Sequence, residues 1–337
     1  MRKPLLVTLL ALAASGCMVG PDYVRPPVDT PAAWRLSEQD ARDLANTAWW
    51  EQFGDPVLND LVATALRENK DLMIAAARVE QFAGNYGIVR SGLFPQVGAG
   101  YEVRRQRDIS AVVVGAGGDE TYNSYNAVLN ASWEIDIWGR IRRQTEAARA
   151  QLMASEEGRR AVILSLVGSV SGAYINLRDL DRQLDIARAT AKSRGESYEI
   201  FKLRFAGGII SVLELSQNRS QYEEALASIP PLEKAIAQQE NGLSVLLGRN
   251  PGPIPRGKDI DHLALPAIPA GLPSDLLERR PDIRRTEQDL IAANALIGAA
   301  KAAYFPTISL TGLFGYASTS LSNLFDSQSK VWSYGAP

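Results

Sequence analysis

The chain has 337 residues, 22% of them charged, and a formal net charge of −2 at pH 7. A near-neutral charge gives no sign of a nucleic-acid partner, and this length predicts two or three globular domains. Because His262 is the only histidine and Cys17 the only cysteine, a metal site, a catalytic triad and a Cys–His pair all lack residues. We therefore expect no metal, no cofactor and no enzymatic activity.

Residues 1–16 have the layout of a secretory signal peptide. Two basic residues precede an apolar run at 5–14, and small residues lead to Cys17. The run is too short to span a bilayer as a stable helix. Residues 14–17 resemble a bacterial lipoprotein cleavage box, although Ala14 stands where Leu is more usual. Cys17 would then carry several acyl chains, which makes anchoring stable; the alternative is an ordinary signal peptide with an incidental cysteine.

Residues 17–56 are predicted to form a lipid-anchored tether. Four prolines between Gly20 and Pro31 exclude regular helix, so this part should be extended. Asp55-Pro56 then supplies an N-cap with proline at the first helical position. The first helix is therefore predicted to begin here.

Two stretches resemble each other at a constant offset of about 211 residues. In both, a helix-like segment runs into Phe-Pro, at Phe94-Pro95 and Phe305-Pro306, and Gly87 falls opposite Gly298. Helix is disfavoured before proline, and alternating residues follow. We predict a duplicated helix-to-strand unit, with a first repeat at 57–250, a Pro-rich linker at 251–271 and an incomplete second repeat at 272–337.

Period-2 alternation predicts β-strands at 96–104 and 124–137. Long strands that are apolar on one face and small or polar on the other fit an outer-membrane barrel. On the strands alone, a half-buried sheet of a soluble domain is an equally good alternative. Tyr125, Trp133 and Trp138 are candidate interfacial aromatics. The charged residues predicted to face the water-filled lumen are Glu102, Arg104, Glu134 and Asp136.

A third strand is predicted after Pro306, and residues 332–334 begin a fourth. An incomplete set of strands cannot close a membrane barrel, because an open edge leaves backbone groups unpaired in lipid. Closure must come from further sequence, from other subunits, or from both. The second repeat also lacks a counterpart of the long helices of the first, so we expect a truncated product or a fragment.

Residues 139–247 are predicted to form a long antiparallel helical hairpin. From Gly139 to Phe205 there is no proline and apolar residues keep a heptad spacing, which predicts a coiled coil roughly 100 Å long. Gly207-Gly208 break it, Ser211 and Glu214 predict a capping box for the returning helix, and Pro230-Pro231 should kink that helix. The tip is either an inert turn or a docking point. Arg142 and Arg143 are expected on a solvated helix face.

Several motifs in a specific order give the chain a family resemblance. It is similar to the outer-membrane factor family of TolC and OprM type efflux channels, in its lipoprotein (NodT-like) branch. The motifs are Cys17-Met18-Val19-Gly20-Pro21-Asp22-Tyr23, Trp49-Trp50, Phe53-Gly54-Asp55-Pro56, Trp133-Glu134-Ile135-Asp136, Leu246-Leu247-Gly248-Arg249-Asn250-Pro251 and Arg280-Pro281-Asp282-Ile283.

This resemblance implies an α+β membrane protein whose coiled-coil hairpins form a periplasmic tunnel below outer-membrane barrel strands. It implies a homotrimer, lipid-anchored in the outer membrane, in which each subunit gives four strands to one barrel. Its implied partners are a periplasmic adaptor protein, an inner-membrane pump of the RND type and outer-membrane lipid. Arg204, Gly208, Ser211 and Leu213 would meet the adaptor, and Glu214 would belong to the periplasmic gate.

The expected function is export of small molecules, such as drugs and toxic compounds, from adaptor and pump to the exterior. The alternative within the same family is a conduit for type I protein secretion. A different class of protein, a lipid-anchored coiled-coil structural or adaptor protein with a small soluble sheet, is distinguished by heat-modifiable migration and trimer size in detergent.

Overall fold

The structure is a computed structural model that describes residues 18–27, 48–107, 121–265 and 277–336. The predicted signal peptide and Cys17 lie outside those residues. The described chain forms two compact units. The first contains the residues up to Pro27, Val79–Ser155 and those from Arg285 onward, and the second contains the rest.

Helices and strands follow one another in groups along the described residues. After a short 3-10 turn at Trp49–Phe53 the order is α1 (Pro56–Glu68), α2 (Lys70–Ser91), β1 (Gln96–Arg107), β2 (Thr121–Ile135), α3 (Arg140–Ala206), α4 (Val212–Ala227), α5 (Ile229–Leu246), α6 (Pro281–Ala302), β3 (Ile308–Ser318) and β4 (Lys330–Gly335).

In the first unit, the four strands form one antiparallel sheet in the order β1-β2-β3-β4. The predicted strands are present, with β1 running three residues further and β2 both starting and ending earlier than the alternation indicated. Helices α3 and α6 meet beside the sheet through small side chains, where Ala147 and Ala150 pack on Ala292 and Ala295. Small residues let two helix backbones approach closely.

The core of the second unit forms around α1. Asp55 caps this helix as predicted, accepting a hydrogen bond from Val57 N at 2.9 Å, with Pro56 at the first position. Leu58 and Val62 are fully buried against apolar residues of α3 and the end of α5. By length and composition α3 contains a stretch apolar enough to cross a membrane. Its residues Val170 and Leu177 lie in this buried core instead.

The hairpin of the second unit is built from α3, α4 and α5. The predicted heptad seam is confirmed along α3, where Leu184 and Ala191 are buried, as Val170 and Leu177 are nearer its start. Across the hairpin, Tyr198 stacks on Tyr222 with ring centroids 6.1 Å apart. The returning helix is interrupted at Ser228, just before the two prolines, because neither proline can donate a backbone hydrogen bond to the preceding turn.

Two glycines with left-handed backbone lie at the two ends of this hairpin. Replacing each by alanine is expected to lower the free energy of unfolding by a different amount. Gly208 has φ +70° and nothing within 4 Å of an added Cβ, whereas at Gly248, with φ +71°, that Cβ would lie 2.1 Å from Glu68 O. We expect Gly208→Ala to cost about 1 kcal/mol for its backbone conformation alone. Gly248→Ala should cost about 1–3 kcal/mol more, because the backbone must shift.

The two costs can be measured by denaturant unfolding of the purified variants, followed by helical circular dichroism. Gly84→Ala provides a reference, because Gly84 lies in an exposed helical position with open space around it. Equal destabilisation by Gly208→Ala and Gly248→Ala would show that backbone conformation alone sets the cost.

Candidate functional surfaces

One face of the sheet in the first unit is apolar from edge to edge. The register aligns odd-numbered residues of β1 and β2 with even-numbered residues of β3 and β4, so that Tyr101 lies opposite Ala127, Leu129 opposite Phe314, and Phe314 opposite Trp332. These side chains are largely exposed, with Tyr101 at 61% and Trp332 at 67%. An exposed apolar face of this extent marks a surface that meets lipid or another protein.

The opposite face of the sheet is polar. Glu102 pairs in register with Asn126, Arg104 with Ser124, and Glu134 with Ser309, so the alternation puts three of the four predicted lumen residues on one face. Glu102 and Arg104 also form an ion pair. Glu134 binds Arg140 through both carboxylate oxygens, at 2.6 and 2.8 Å, which places it at the start of the long helix.

Asp136 lies one residue beyond β2, so its predicted position on a strand is wrong, while its place at the lumen stays a prediction. β2 ends at Ile135, and the carboxylate of Asp136 accepts hydrogen bonds from Ile141 N at 3.0 Å and Arg142 N at 2.8 Å. It thereby binds unpaired N–H groups at the N-terminus of α3, where a negative charge is favourable.

Two tryptophans fix the places where strands give way to helices in the first unit. The indole of Trp133 donates to Leu93 O, just before Phe94-Pro95, and that of Trp138 donates to Pro306 O, both at 3.0 Å. Trp138 also stacks on Phe305 with ring centroids 4.4 Å apart. Both Phe-Pro corners of the repeat are thus closed by an indole, a ring that suits a membrane–water boundary. We call these corners the strand–helix junction.

The hairpin tip of the second unit, residues 203–214, exposes apolar side chains. The turn is closed by Gly207 N to Leu203 O at 3.0 Å and Ile209 N to Arg204 O at 2.9 Å, with Gly208 in the left-handed conformation that this helix end requires. The guanidinium of Arg204 lies over Phe201. Exposed fractions are 75% for Leu203, 42% for Phe205, 75% for Ile209, 65% for Val212 and 63% for Leu213.

Ser211 and Glu214 form the predicted capping box at this tip. The Ser211 hydroxyl accepts from Glu214 N at 3.3 Å, and the Glu214 carboxylate accepts from Ser211 N at 2.8 Å. The backbone hydrogen bond from Ser211 lowers the pKa of Glu214, and the hydroxyl of Ser211 lowers it further. Glu214 therefore stays ionised to a lower pH than a glutamate without these hydrogen bonds.

A buried polar network in the second unit was not predicted as such. Asp55 is fully buried, and besides capping α1 it accepts from the Tyr174 hydroxyl at 2.8 Å and from Lys258 N at 3.0 Å. Tyr174 in turn accepts from Gly257 N at 2.9 Å. A Cβ at Gly257 would lie 2.1 Å from the carboxylate. The network therefore fixes the linker residues 257–258 to α1 and α3.

Arg143, expected on a solvated helix face, is buried, with a side chain only 2% exposed. Its partners include Asp22 at 2.7 Å and Glu146 at 2.8 Å. Glu146 lies three positions further along the same helix, where the helical period brings it close, but nothing in the local sequence indicates the contact with Asp22. Among residues 18–27, 48–107, 121–265 and 277–336, no group of three or more His, Cys, Asp or Glu side chains is placed to hold a metal ion.

An exposed apolar sheet face, a polar opposite face and a long coiled-coil hairpin together define an outer-membrane channel subunit. The sequence profile of the outer membrane efflux protein family matches residues 61–249 and 272–336. The chain belongs to this family and is the outer-membrane channel component of an efflux system. The earlier resemblance to TolC and OprM type channels is thereby confirmed.

Named relatives and a solved structure agree with this assignment. The chain is 37% identical to the toluene efflux pump outer membrane protein TtgF of Pseudomonas putida, over 99% of this chain and 72% of the relative. It is 36% identical to the cation efflux system protein CusC of Escherichia coli, over 98% and 72%. The MtrE outer membrane channel of Neisseria gonorrhoeae superimposes with a TM-score of 0.80 at 34% identity, covering 95% of this chain and 72% of that one.

Proposed function

We propose that the protein is one subunit of a lipid-anchored, trimeric channel that passes small molecules from a periplasmic adaptor and an inner-membrane pump to the cell exterior. The observation that carries this proposal is the sheet. Its apolar face suits lipid, its polar face suits water, and within the described residues neither β1 nor β4 has a partner along its outer edge. Such edges are not tolerated in lipid unless they pair.

Pairing between subunits satisfies both edges at once. If β4 of one copy pairs with β1 of the next, three copies give a closed barrel of about twelve strands, an even number within the range of outer-membrane barrels. The polar faces of the three sheets, which carry Glu102, Arg104 and Glu134, then surround a water-filled passage. Charges on that wall set which solutes pass easily.

The hairpin tip is the proposed docking point for the adaptor. Arg204, Gly208, Ser211 and Leu213 lie within a turn that exposes large aliphatic side chains, and exposed apolar groups of this kind mark protein contacts. Glu214 begins the returning helix at the same place and is proposed to act in the periplasmic gate. Its carboxylate accepts hydrogen bonds from Ser211 in the capping box. A conformational change that opens the turn would break these bonds and leave the carboxylate free to move.

Acylation of Cys17 is the proposed anchor, and the lipoprotein-like residues 14–17 support it. Neither protein secretion nor a structural coiled-coil role is favoured by a specific feature. A structural coiled coil has no use for an apolar sheet face with exposed aromatic residues. The relatives named for toluene and cation efflux favour small solutes as cargo.

The test uses cells that lack their own outer-membrane efflux channel but contain a matching adaptor and pump. Expression of the full chain should lower the accumulation of ethidium to the level of channel-containing cells, and the protein should migrate as a heat-modifiable trimer. A monomer that leaves ethidium accumulation unchanged would overturn the proposal. A chain that restores secretion of a protein substrate but not ethidium efflux would favour the secretion alternative.

A further inference from the structure

The first described residues of the chain are bound to other parts of the first unit by hydrogen bonds and ion pairs. We call residues 18–25 the N-terminal strap. Val19 N donates to Trp138 O at 3.1 Å, and Asn294 Nδ2 donates to Pro21 O at 3.0 Å. Further along, Arg25 forms an ion pair with Glu287 at 2.9 Å. The strap thus binds both the residues that precede α3 and the exposed side of α6.

Arg143 holds the middle of the strap. Its buried guanidinium donates to Gly20 O at 3.2 Å and to Asp22 Oδ1 at 2.7 Å, while Glu146 fixes it from its own helix at 2.8 Å. Val19 O accepts a weaker hydrogen bond from its Nε at 3.4 Å. The strap thus supplies three of these four acceptors of the Arg143 side chain, and removing the strap would leave Glu146 as the one that remains.

Two glycines make this contact possible. Gly20 has φ +108°, and a Cβ there would lie 2.4 Å from Gly298 Cα; a Cβ at Gly298 would lie 2.7 Å from Val19 O and 2.9 Å from Arg143 Nε. Neither position has room for a side chain while the strap is bound. Gly87, the residue that the repeat places opposite Gly298, has nothing within 4 Å. The close approach therefore belongs to the strap and not to the repeated helix.

We propose that Arg143 and the Gly20–Gly298 contact lock the strap to the strand–helix junction, and so set the membrane level at which the acyl chains on Cys17 enter. The inference rests on the proposed acylation and barrel. In the sequence, Cys17 directly precedes Met18, the first residue of the locked segment. Arg143 is a positioning residue for the anchor.

The lock matters because a free segment would not fix any level. An unstructured chain of eight residues has an end-to-end distance of roughly 15 Å, about half the ~30 Å thickness of the hydrocarbon core. When the strap is locked from Met18 onward, only one residue of free chain separates the acyl chains from a held segment. The acyl chains and the strands that follow the Phe-Pro corners are then presented to the bilayer at one common height.

The lock is tested first in detergent, by chymotrypsin cleavage after Tyr23 in the full chain. Cleavage requires the strap to detach from α3 and α6. The cleavage rate therefore follows the fraction of molecules in which the strap is detached. Gly298→Ala should raise that rate by about tenfold or more, and Arg143→Met should do the same. Gly87→Ala is the matched control and should leave the rate at the wild-type value. Equal rates in Gly298→Ala and Gly87→Ala, with helical circular dichroism unchanged in both, would overturn the lock.

The second test measures the membrane depth of residue 18, the first residue of the strap. In a Cys17→Ser background, Met18→Cys carries a bimane label, and the protein is reconstituted into vesicles of phosphatidylcholine with brominated acyl chains. We expect strong, depth-specific quenching with Gly298 intact and a broad, weaker depth profile with Gly298→Ala. Identical profiles would contradict a role in setting the level.

Failure of the proposed anchor is separable from failure of the lock. If incorporation of a palmitate analogue is lost in Cys17→Ser, acylation stands; if the wild-type chain takes up no analogue, acylation is wrong whatever the protease assay shows. Retained labelling together with the same slow cleavage in Gly298→Ala, Arg143→Met and wild-type chains would refute the lock alone.

Discussion

Replacing Asp55 by alanine is expected to destabilise the protein by about 3–5 kcal/mol, a large part of the stability of an ordinary domain. The substitution removes the N-cap of α1, which costs about 1 kcal/mol. It also leaves the Tyr174 hydroxyl and Lys258 N without their acceptor, at about 1–2 kcal/mol each. The measurement is denaturant unfolding of the purified protein by helical circular dichroism.

Asp60→Ala is the matched control, because Asp60 lies on the same helix with its side chain exposed, and it should change the free energy of unfolding by less than about 0.5 kcal/mol. Asp55→Asn should fall between the two, since an amide oxygen still accepts hydrogen bonds. A loss below about 1 kcal/mol for Asp55→Ala would mean that water replaces the carboxylate and that the network does not hold the linker.

Tyr174 adds a pH dependence to the same network. Burial, then the hydrogen bond and negative charge of Asp55, raise the pKa of Tyr174 to about 12 from its usual 10.0. Because the folded pKa lies above the unfolded one, this stabilisation is complete below pH 10 and is lost as the pH rises from 10 to 12. Tyr174→Phe should therefore flatten the alkaline part of the stability profile while its acid part stays unchanged.

Local periodicity in the sequence was enough to predict the sheet and the hairpin. Alternation predicted strands with one apolar face, and the register brings Tyr101, Leu129 and Phe314 to the same face of the sheet. A single capping residue was enough at Asp55 and Ser211, because an N-cap binds N–H groups two or three residues away. Signals of this kind depend only on neighbours along the chain.

Contacts between distant residues could not be predicted in this way. Tyr174 and Lys258 lie 119 and 203 positions from Asp55, and nothing in their local sequence indicates a shared carboxylate. Arg143 follows another arginine and resembles a solvated pair, although its partners are residues of the strap. Asp136 keeps the parity of β2 one residue past its end, so alternation alone cannot distinguish a lumen residue from a helix cap.

Adding a carboxylate to the hairpin tip is expected to abolish efflux while leaving the channel assembled. Leu213 is 63% exposed, so Leu213→Asp removes little buried surface and should barely change the free energy of unfolding. At a docked interface, however, the same carboxylate would be buried without a partner, which costs several kcal/mol. A cost of that size corresponds to at least a hundredfold weaker adaptor binding. Ethidium accumulation should return to that of cells without a channel.

Val245→Asp provides the matched control, because Val245 is an equally exposed aliphatic residue, at 66%, at the opposite end of the hairpin. It should retain both the heat-modifiable trimer and ethidium efflux. Adaptor binding, measured by co-purification, should be lost only for Leu213→Asp. If Leu213→Asp cells export ethidium normally, the tip is an inert turn; if both variants fail equally while remaining trimeric, the effect of the added charge is not specific to the tip. Either outcome removes the basis for adaptor docking at residues 203–214, since the proposal depends on the adaptor covering the exposed apolar side chains of the tip.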